Sequence, residues 1–166
     1  MNLRFERLTP EHDVGRFDCS DEDLNDFLKS DALAYQGQHL AGTYLVFNGA
    51  SRPVAYFSTS ADAIRLEIDE PPKGCREKLI RTYPALKLAR LGVCKHHHGQ
   101  GIGSEIVKVC VGIAIAIHNE NHVGCRFVTV DAYPDRVDWY LKRGFERNKA
   151  YLNRKNTSSL RLEVLA

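Results

Sequence analysis

Between Asn2 and Leu8, "NLRFERL", apolar and polar residues alternate well enough to predict a first strand. The period then changes. Across "CSDEDLNDFLKSDALAYQ", Leu24, Phe27, Leu28 and Tyr35 share one side of a predicted helix, and Ser20 with Asp23 has the spacing of a capping box with the shorter acid. "GTYLVFN" and "PVAYFSTSADAIRLEI" are β-branched and aromatic, with turn-rich "NGASRP" shared between them, and so predict a hairpin. After "DEPPKGCREKLI", a short polar helix or loop, Pro84 opens the strand "ALKLARLGVC". A helix over Gly101–His118 follows, then a strand "CRFVTVDAY", a short helix "DRVDWYLKR", and two closing strands around "GFERNKAYL" and "SSLRLEVL".

The strand before the long helix contains a phase slip. Leu86 and Leu88 are in phase with each other, while Leu91 and Val93 are displaced by one residue. A bulge near Ala89–Leu91 would absorb the slip; burial of both strand faces would make the phase meaningless. Both readings stay open on the sequence.

Composition narrows the class. A chain of 166 residues with 43% apolar and 27% charged positions suits one α/β or α+β domain, expected over residues 1–166. No uninterrupted apolar run approaches the roughly 20 residues of a membrane span, and "MNLRFERLTPEHD" carries charges where a secretory leader needs an apolar core, so no membrane and a cytoplasmic location are expected. Cys19, Cys75, Cys94, Cys110 and Cys125 are odd in number and never form a C-x-x-C pair, which argues against a disulfide framework or a zinc knuckle. The net charge is +2, but residues 126–166 hold nine Lys/Arg against five Asp/Glu, leaving −2 for the first 125. Such a basic quarter is first of all a solvated face.

Candidate chemistry concentrates in "VCKHHHGQGIGSEIV". Glycines at 99, 101 and 103 leave backbone N–H groups unobstructed where a helix begins, and these orphan donors with the helix dipole make an anion site. The spacing is not a Walker loop, because no Gly-Lys-Ser/Thr follows, and Ser104 stands where a dinucleotide fingerprint needs its third glycine. A metal site is disfavoured as well. Adjacent His96, His97 and His98 converge poorly on one ion from an extended loop, and no helix-spaced histidine pair supports them.

Taken together, "LARLGV", "HGQGIG", the helix after it and "DWYLKRGF" resemble the GNAT superfamily of acyl-CoA-dependent N-acetyltransferases, and the order of elements extends the resemblance over nearly the whole chain. The resemblance implies an α+β fold: a mixed, mostly antiparallel sheet of six or seven strands flanked by helices and splayed at strands 4 and 5. It also implies that the pyrophosphate of acetyl-CoA sits on a Q/R-x-x-G-x-G/A loop, here His98, Gly99, Gln100, Gly101, Ile102 and Gly103, with Ser104 beside it and His98 in place of Gln or Arg. Backbone groups of Leu91 and Val93 would then face pantetheine, and a backbone N–H there would stabilise the oxyanion formed from the thioester. Tyr140, in "WYLKRGF", matches the tyrosine that protonates the departing thiolate; a phenol of reference pKa about 10 carries the proton at neutral pH. No metal is implied.

A finer resemblance lies at the front. "FDCSDEDLNDFLKSDALAYQ" is similar to the F-x-C-G-x-x-x-L-x-x-F/W-L pattern of bacterial GNAT toxins from toxin-antitoxin pairs, with Ser20 in place of glycine. That subset acetylates the α-amine of aminoacyl-tRNA, so the implied partners are an acyl-CoA, an amine acceptor that includes aminoacyl-tRNA, an antitoxin protein and a second copy of the chain. An α-amine of reference pKa about 7.7 to 8.0 is partly neutral near pH 7, which removes the need for a dedicated base. Arg136, Lys142, Arg143, Arg147, Lys149, Arg154 and Lys155 could supply an RNA-facing surface or could be ordinary solvated residues. The competing readings are a small-molecule or protein amine as acceptor, a catalytically silent acyl-CoA-binding module, and a dinucleotide enzyme with Asp131 on the ribose.

Overall fold

The computed structural model describes residues 2–74, 81–121, 123–152 and 156–164. In chain order the elements are β1 (Arg4–Arg7), α1 (Glu22–Asp26), a π turn (Phe27–Asp31), α2 (Ala32–Gly37), β2 (Gly42–Phe47), β3 (Ala55–Arg65), β4 (Thr82–Val93), a 3-10 turn (Lys95–His97) and α3 (Ile102–Asn121). They continue with β5 (Phe127–Ala132), a 3-10 turn (Pro134–Arg136), α4 (Val137–Leu141), β6 (Glu146–Arg147), a 3-10 turn (Lys149–Tyr151) and β7 (Ser158–Glu163). The seven strands form one sheet in the order β1-β2-β3-β4-β5-β7-β6. β1–β2, β2–β3, β5–β7 and β6–β7 are antiparallel, whereas β4 and β5 run parallel. The fold is thus the mixed, mostly antiparallel sheet that the resemblance implies.

Parallel pairing of β4 and β5 covers only Ala85–Lys87 against Phe127–Thr129. Among the described residues, Leu88–Val93 of β4 have no β5 partner, which is the splay expected of strands 4 and 5. The phase slip in β4 resolves as a change of face. Leu86, Leu88 and Gly92 are buried while Lys87, Ala89, Leu91 and Val93 are half-buried, so alternation continues through the slipped residues.

The chain divides into two compact units: Met1–Ser60 with Leu88–Lys108, and Ala61–Lys87 with Val109–Ala166. The first buries an aromatic-rich core of Leu8, Phe17, Cys19, Phe27, Leu28, Ala32, Leu45, Phe47 and Tyr56. Such large rings dominate burial energetics, and the Phe17–Tyr56 pair adds an edge-to-face contact at 5.4 Å. The second unit buries Ile64, Leu66, Tyr83, Ala85 and Phe127. It also buries an ion pair: Arg161 donates to Glu70, to Asn148 Oδ1 and to the Arg147 carbonyl, each at 2.9 Å, and to Glu146 at 3.1 Å.

Several expectations are corrected. The N-cap of α1 is Asp21, whose carboxylate accepts from the Leu24 N–H at 3.1 Å; Ser20 has φ of 66° and cannot fill that role. The first helix is not regular. At Phe27 the ladder widens, with the Ala32 N–H reaching the Phe27 carbonyl; Tyr35 still meets the Phe27 ring edge-on at 5.3 Å but is 40% exposed. The penultimate strand shrinks to Glu146–Arg147, since the next residues turn as a 3-10 helix. All of "CREKLI", with Arg154 and Lys155, lies outside the described residues. Finally, Ile102–Glu120 of α3 is long and apolar enough to cross a membrane by length and composition, contrary to the expectation that nothing in the chain approaches a span. Its buried positions include Ile102, Ile106, Cys110 and Ala114, four residues apart, which is the single stripe of a helix packed by one face.

Candidate active site

In the first unit, β4 ends at Val93 and the chain turns through three histidines into α3. Gly99 and Gly101 carry φ of 77° and 81°, a region that costs other residues about 1–2 kcal/mol. A Cβ at either position would meet nothing within 4 Å, so conformation and not packing demands glycine there. Ser104 and Glu105 N–H groups donate to the Gly101 carbonyl at 3.0 and 3.2 Å and start the ladder of α3. The N–H groups ahead of them belong to the unpaired first turn, at the positive end of a 20-residue helix. Ile102 is buried and anchors this turn, whereas Gly99, Gln100 and Gly101 are exposed.

The histidines have structural partners. His98 Nε2 donates to the Val93 carbonyl at 2.7 Å, which ties the start of the glycine loop to the end of β4 and fixes the hydrogen on Nε2. His97 Nδ1 lies 3.2 Å from Gln100 Oε1, and Gln100 Nε2 donates to the His96 carbonyl at 3.4 Å. The structure thus brings Val93, His98 and the Gly99–Ser104 loop together, with the half-buried Leu91 two residues back along β4. Among the described residues no group of three or more His, Cys, Asp or Glu is placed to hold a metal ion.

The front motif braces this loop. Lys95 N–H donates to the Asp18 carbonyl at 2.9 Å, and Lys95 Nζ lies 2.7 Å from Asp18 Oδ2. The Lys95 hydrogen bond, first of several, holds the Asp18 carboxyl well below the usual range. Asp18 Oδ1 also accepts from the Ser20 N–H at 2.9 Å, and Asn25 Oδ1 accepts from the Cys19 N–H at 2.9 Å. The glycine usual at position 20 suits a left-handed φ, and Ser20 holds that φ at 66° with its N–H bonded to Asp18. Periodicity had no means of finding Asp18 and Lys95, because the pair is made by tertiary contact across more than seventy residues.

Tyr140 lies in the second unit, on α4. Its ring is buried, 8% exposed, with edge-on contacts to Trp139 at 4.8 Å and Phe145 at 5.2 Å. The motif "WYLKRGF" is a helix ending. Gly144, with φ of 85°, donates to the Leu141 carbonyl at 3.0 Å, and Phe145 donates to the Tyr140 carbonyl at 3.3 Å, so the pair forms a Schellman motif whose apolar contact is the Tyr140–Phe145 ring pair. No buried side-chain polar atom lacks a partner among the described residues. Burial pushes the Tyr140 phenol up to about 12, Cys110 adds to this, and Arg136 and Arg143 pull it back.

Arg143 sits 3.5 Å over the Trp139 ring and donates to the Trp139 carbonyl at 2.7 Å. Other basic residues named from the sequence are engaged as well: Arg136 with Asp135 at 3.3 Å, Lys149 with Asp69, and Arg147 with Ser158 at 3.2 Å. Lys142 is exposed. Asp131 pairs with Lys87 at 2.6 Å, which leaves it a poor candidate for a ribose ligand. Cys19, Cys94, Cys110 and Cys125 are free thiols.

No protein-family model matches the chain. A tRNA-acetylating toxin of Mycobacterium tuberculosis is 24% identical over 141 residues, covering 84% of this chain and 82% of that protein. Among solved structures, AtaT complexed with acetyl-methionyl-tRNAfMet has a TM-score of 0.81 at 22% identity, over 98% of this chain and 95% of the other. A tyrosine-to-phenylalanine mutant of the AtaT toxin, bound to the C-terminus of the antitoxin AtaR and to acetyl-CoA, has a TM-score of 0.74 at 22% identity, over 98% and 93%. The chain therefore has the fold of the GNAT acetyltransferases, and its likeness is to their toxin-type members.

Proposed function

We propose that residues 1–166 act as one acetyltransferase domain that moves an acetyl group from acetyl-CoA to a primary amine, the α-amine of aminoacyl-tRNA. The observation that carries this reading is the loop at Gly99 and Gly101: two left-handed glycines with open space above them, at the first turn of a long helix and bonded through His98 to the end of β4, which beyond Lys87 has no β5 partner among the described residues. The loop fits a pyrophosphate, because it offers backbone donors and no side chain that would fill the cradle. His98, Gly99, Gln100, Gly101, Ile102, Gly103 and Ser104 would hold that group, and Leu91 and Val93 the pantetheine. Since His98 already occupies the Val93 carbonyl, the contribution of Val93 is its N–H side.

The reaction follows from these groups. The neutral amine attacks the thioester carbonyl carbon, the new C–N bond forms, and the oxygen takes the negative charge beside a backbone N–H of β4. Collapse breaks the C–S bond, Tyr140 gives its phenolic proton to the thiolate, and the ammonium proton passes to water. A buried phenol at about 12 is a weak acid toward a thiolate of reference pKa near 8.5, so Arg136 and Arg143 matter: their charge stabilises the phenolate left behind.

The relatives support the acceptor and the setting. One is a tRNA-acetylating toxin, one is held with an acetylated methionyl-tRNA, and one with an antitoxin and acetyl-CoA. By that likeness the chain works in the cytoplasm, is neutralised by an antitoxin protein and pairs with a second copy of itself.

Calorimetry with acetyl-CoA tests the cofactor step on wild type and on Gly101→Glu, which adds a left-handed strain and a negative charge to the cradle. Binding to wild type that the substitution abolishes is expected; absence of heat with wild type overturns the acetyltransferase reading. Incubation with acetyl-CoA and charged tRNA then tests the acceptor. Acetylated aminoacyl ends are expected, and acetylation of small amines with charged tRNA untouched would remove tRNA from the reading.

A further inference from the structure

Gly92 is the residue of β4 between Leu91 and Val93, and it differs from the loop glycines. A Cβ built on it would lie 2.7 Å from Tyr56 Cε1, 3.2 Å from Cδ1 and 3.4 Å from Cys19 Sγ. Contacts under 3.0 Å to a ring this constrained are not relieved by rotation. Tyr56 is fully buried, edge-on to Phe17 at 5.4 Å and stacked on Phe27 at 6.4 Å. Its hydroxyl donates to the Leu24 carbonyl at 2.7 Å, in the last turn of α1 before the ladder widens into the π turn. The partners of Tyr56 here, Phe17, Leu24 and Phe27, belong to the front motif.

We infer that Tyr56 and Gly92 are a positioning pair: the ring lies on the bare backbone of Gly92 and, anchored by its hydroxyl to α1, sets where the Leu91–Val93 backbone presents itself to pantetheine. The role assigned to the pair is not a contact with acetyl-CoA or acceptor. It acts through the strand, and it rests on the acetyltransferase reading. A side chain at position 92 would have to move either the packed ring or the strand. The strand is the easier to move, because its edge beyond Lys87 lacks a β5 partner. The displacement would reach the pantetheine contacts and leave the pyrophosphate loop, which the His98–Val93 bond and Lys95–Asp18 hold separately.

Two probes separate these ends: acetyl-CoA, and adenosine 3′,5′-diphosphate, which shares the nucleotide end of the cofactor but lacks pantetheine. Both are titrated calorimetrically into wild type, Gly92→Ala and Tyr56→Phe, with folding followed by urea unfolding. Gly92→Ala is expected to weaken acetyl-CoA at least tenfold while the diphosphate stays within twofold. Tyr56→Phe keeps the ring and loses only its anchor, so a smaller loss of two- to threefold with the same selectivity is expected. Equal weakening of both ligands, or unchanged acetyl-CoA binding in a folded Gly92→Ala, overturns the positioning role. If Gly92→Ala does not fold, Tyr56→Phe decides alone, and unselective or absent weakening overturns it. Failure of wild type to bind acetyl-CoA would instead overturn the underlying reading.

Discussion

The two compact units solve different problems with different materials. The first, holding the glycine loop, carries eight Lys/Arg against ten Asp/Glu, while the second, holding Tyr140, carries fifteen against eleven. With balances of −2 and +4, the anion site proposed for the first unit would owe nothing to net charge. It is made of backbone: two left-handed glycines and a helix start, braced by an aromatic core. The second unit works with side chains, a buried Arg161–Glu70 pair and a phenol whose acidity is set by burial and by two arginines. A backbone site should fail when conformation is disturbed, and a side-chain site when one functional group is removed.

The sharpest break in the second unit is Arg161→Met. It strands the Glu70 carboxylate, 7% exposed, and the expected loss of folding stability is about 3–5 kcal/mol by urea denaturation. Tyr140→Phe should do the opposite, leaving stability within about 0.5 kcal/mol, because the ring keeps its edge-on contacts with Trp139 and Phe145. Under the proposed function it lowers kcat by about 10²–10³-fold with acetyl-CoA affinity intact, as loss of a general acid does.

Paired glycine substitutions probe the contrast directly. Gly101→Ala and Gly144→Ala place the same strain, about 1–2 kcal/mol, at φ of 81° and 85°. At Gly101 it should appear chiefly as weaker acetyl-CoA binding, roughly tenfold. At Gly144 it should appear as lower stability and, through the tilt of the Tyr140 ring, as lower kcat.

The pH dependence gives the mildest effects, with opposite signs in the two units. The Tyr140 phenol is raised above its unfolded value of 10, so its contribution to stability is full below pH 10 and disappears as pH rises toward about 12. Its acid form therefore persists across the neutral range, and the alkaline limb of the rate should not come from this residue below pH 10. Asp18 is lowered, so its contribution is full above its unfolded value near 4 and disappears as pH falls. Because Asp18 and Lys95 are exposed, Asp18→Asn should change stability little and flatten the acid limb slightly.

Much of this was legible in one dimension. The hairpin, the strand-helix-strand order around α3, and the loop-to-helix glycine spacing all follow from period and turn chemistry, which depend on neighbours in sequence. Tyr140 was named through the family resemblance of "WYLKRGF", a segment that the structure shows to be a helix ending. Legibility failed where local signals competed with distant ones. The spacing at Ser20 and Asp23 imitated a capping box, but the Asp18 bond holds Ser20 left-handed and moves the cap to Asp21. Tyr35 keeps its edge-on contact with Phe27 at 5.3 Å yet stays 40% exposed, after a π turn that no periodicity records.

By itself the sequence determined the order of elements and the glycine-rich turn into α3, since each rests on dihedral preferences and spacings within a few residues. Only the tertiary structure decided that His98 closes on Val93 and that Arg161 is buried with Glu70. The same holds for Gly92, which is bare because Tyr56 occupies the space of its side chain. Those are contacts between residues far apart in the chain, and burial alone selects which of many compatible partners each group meets.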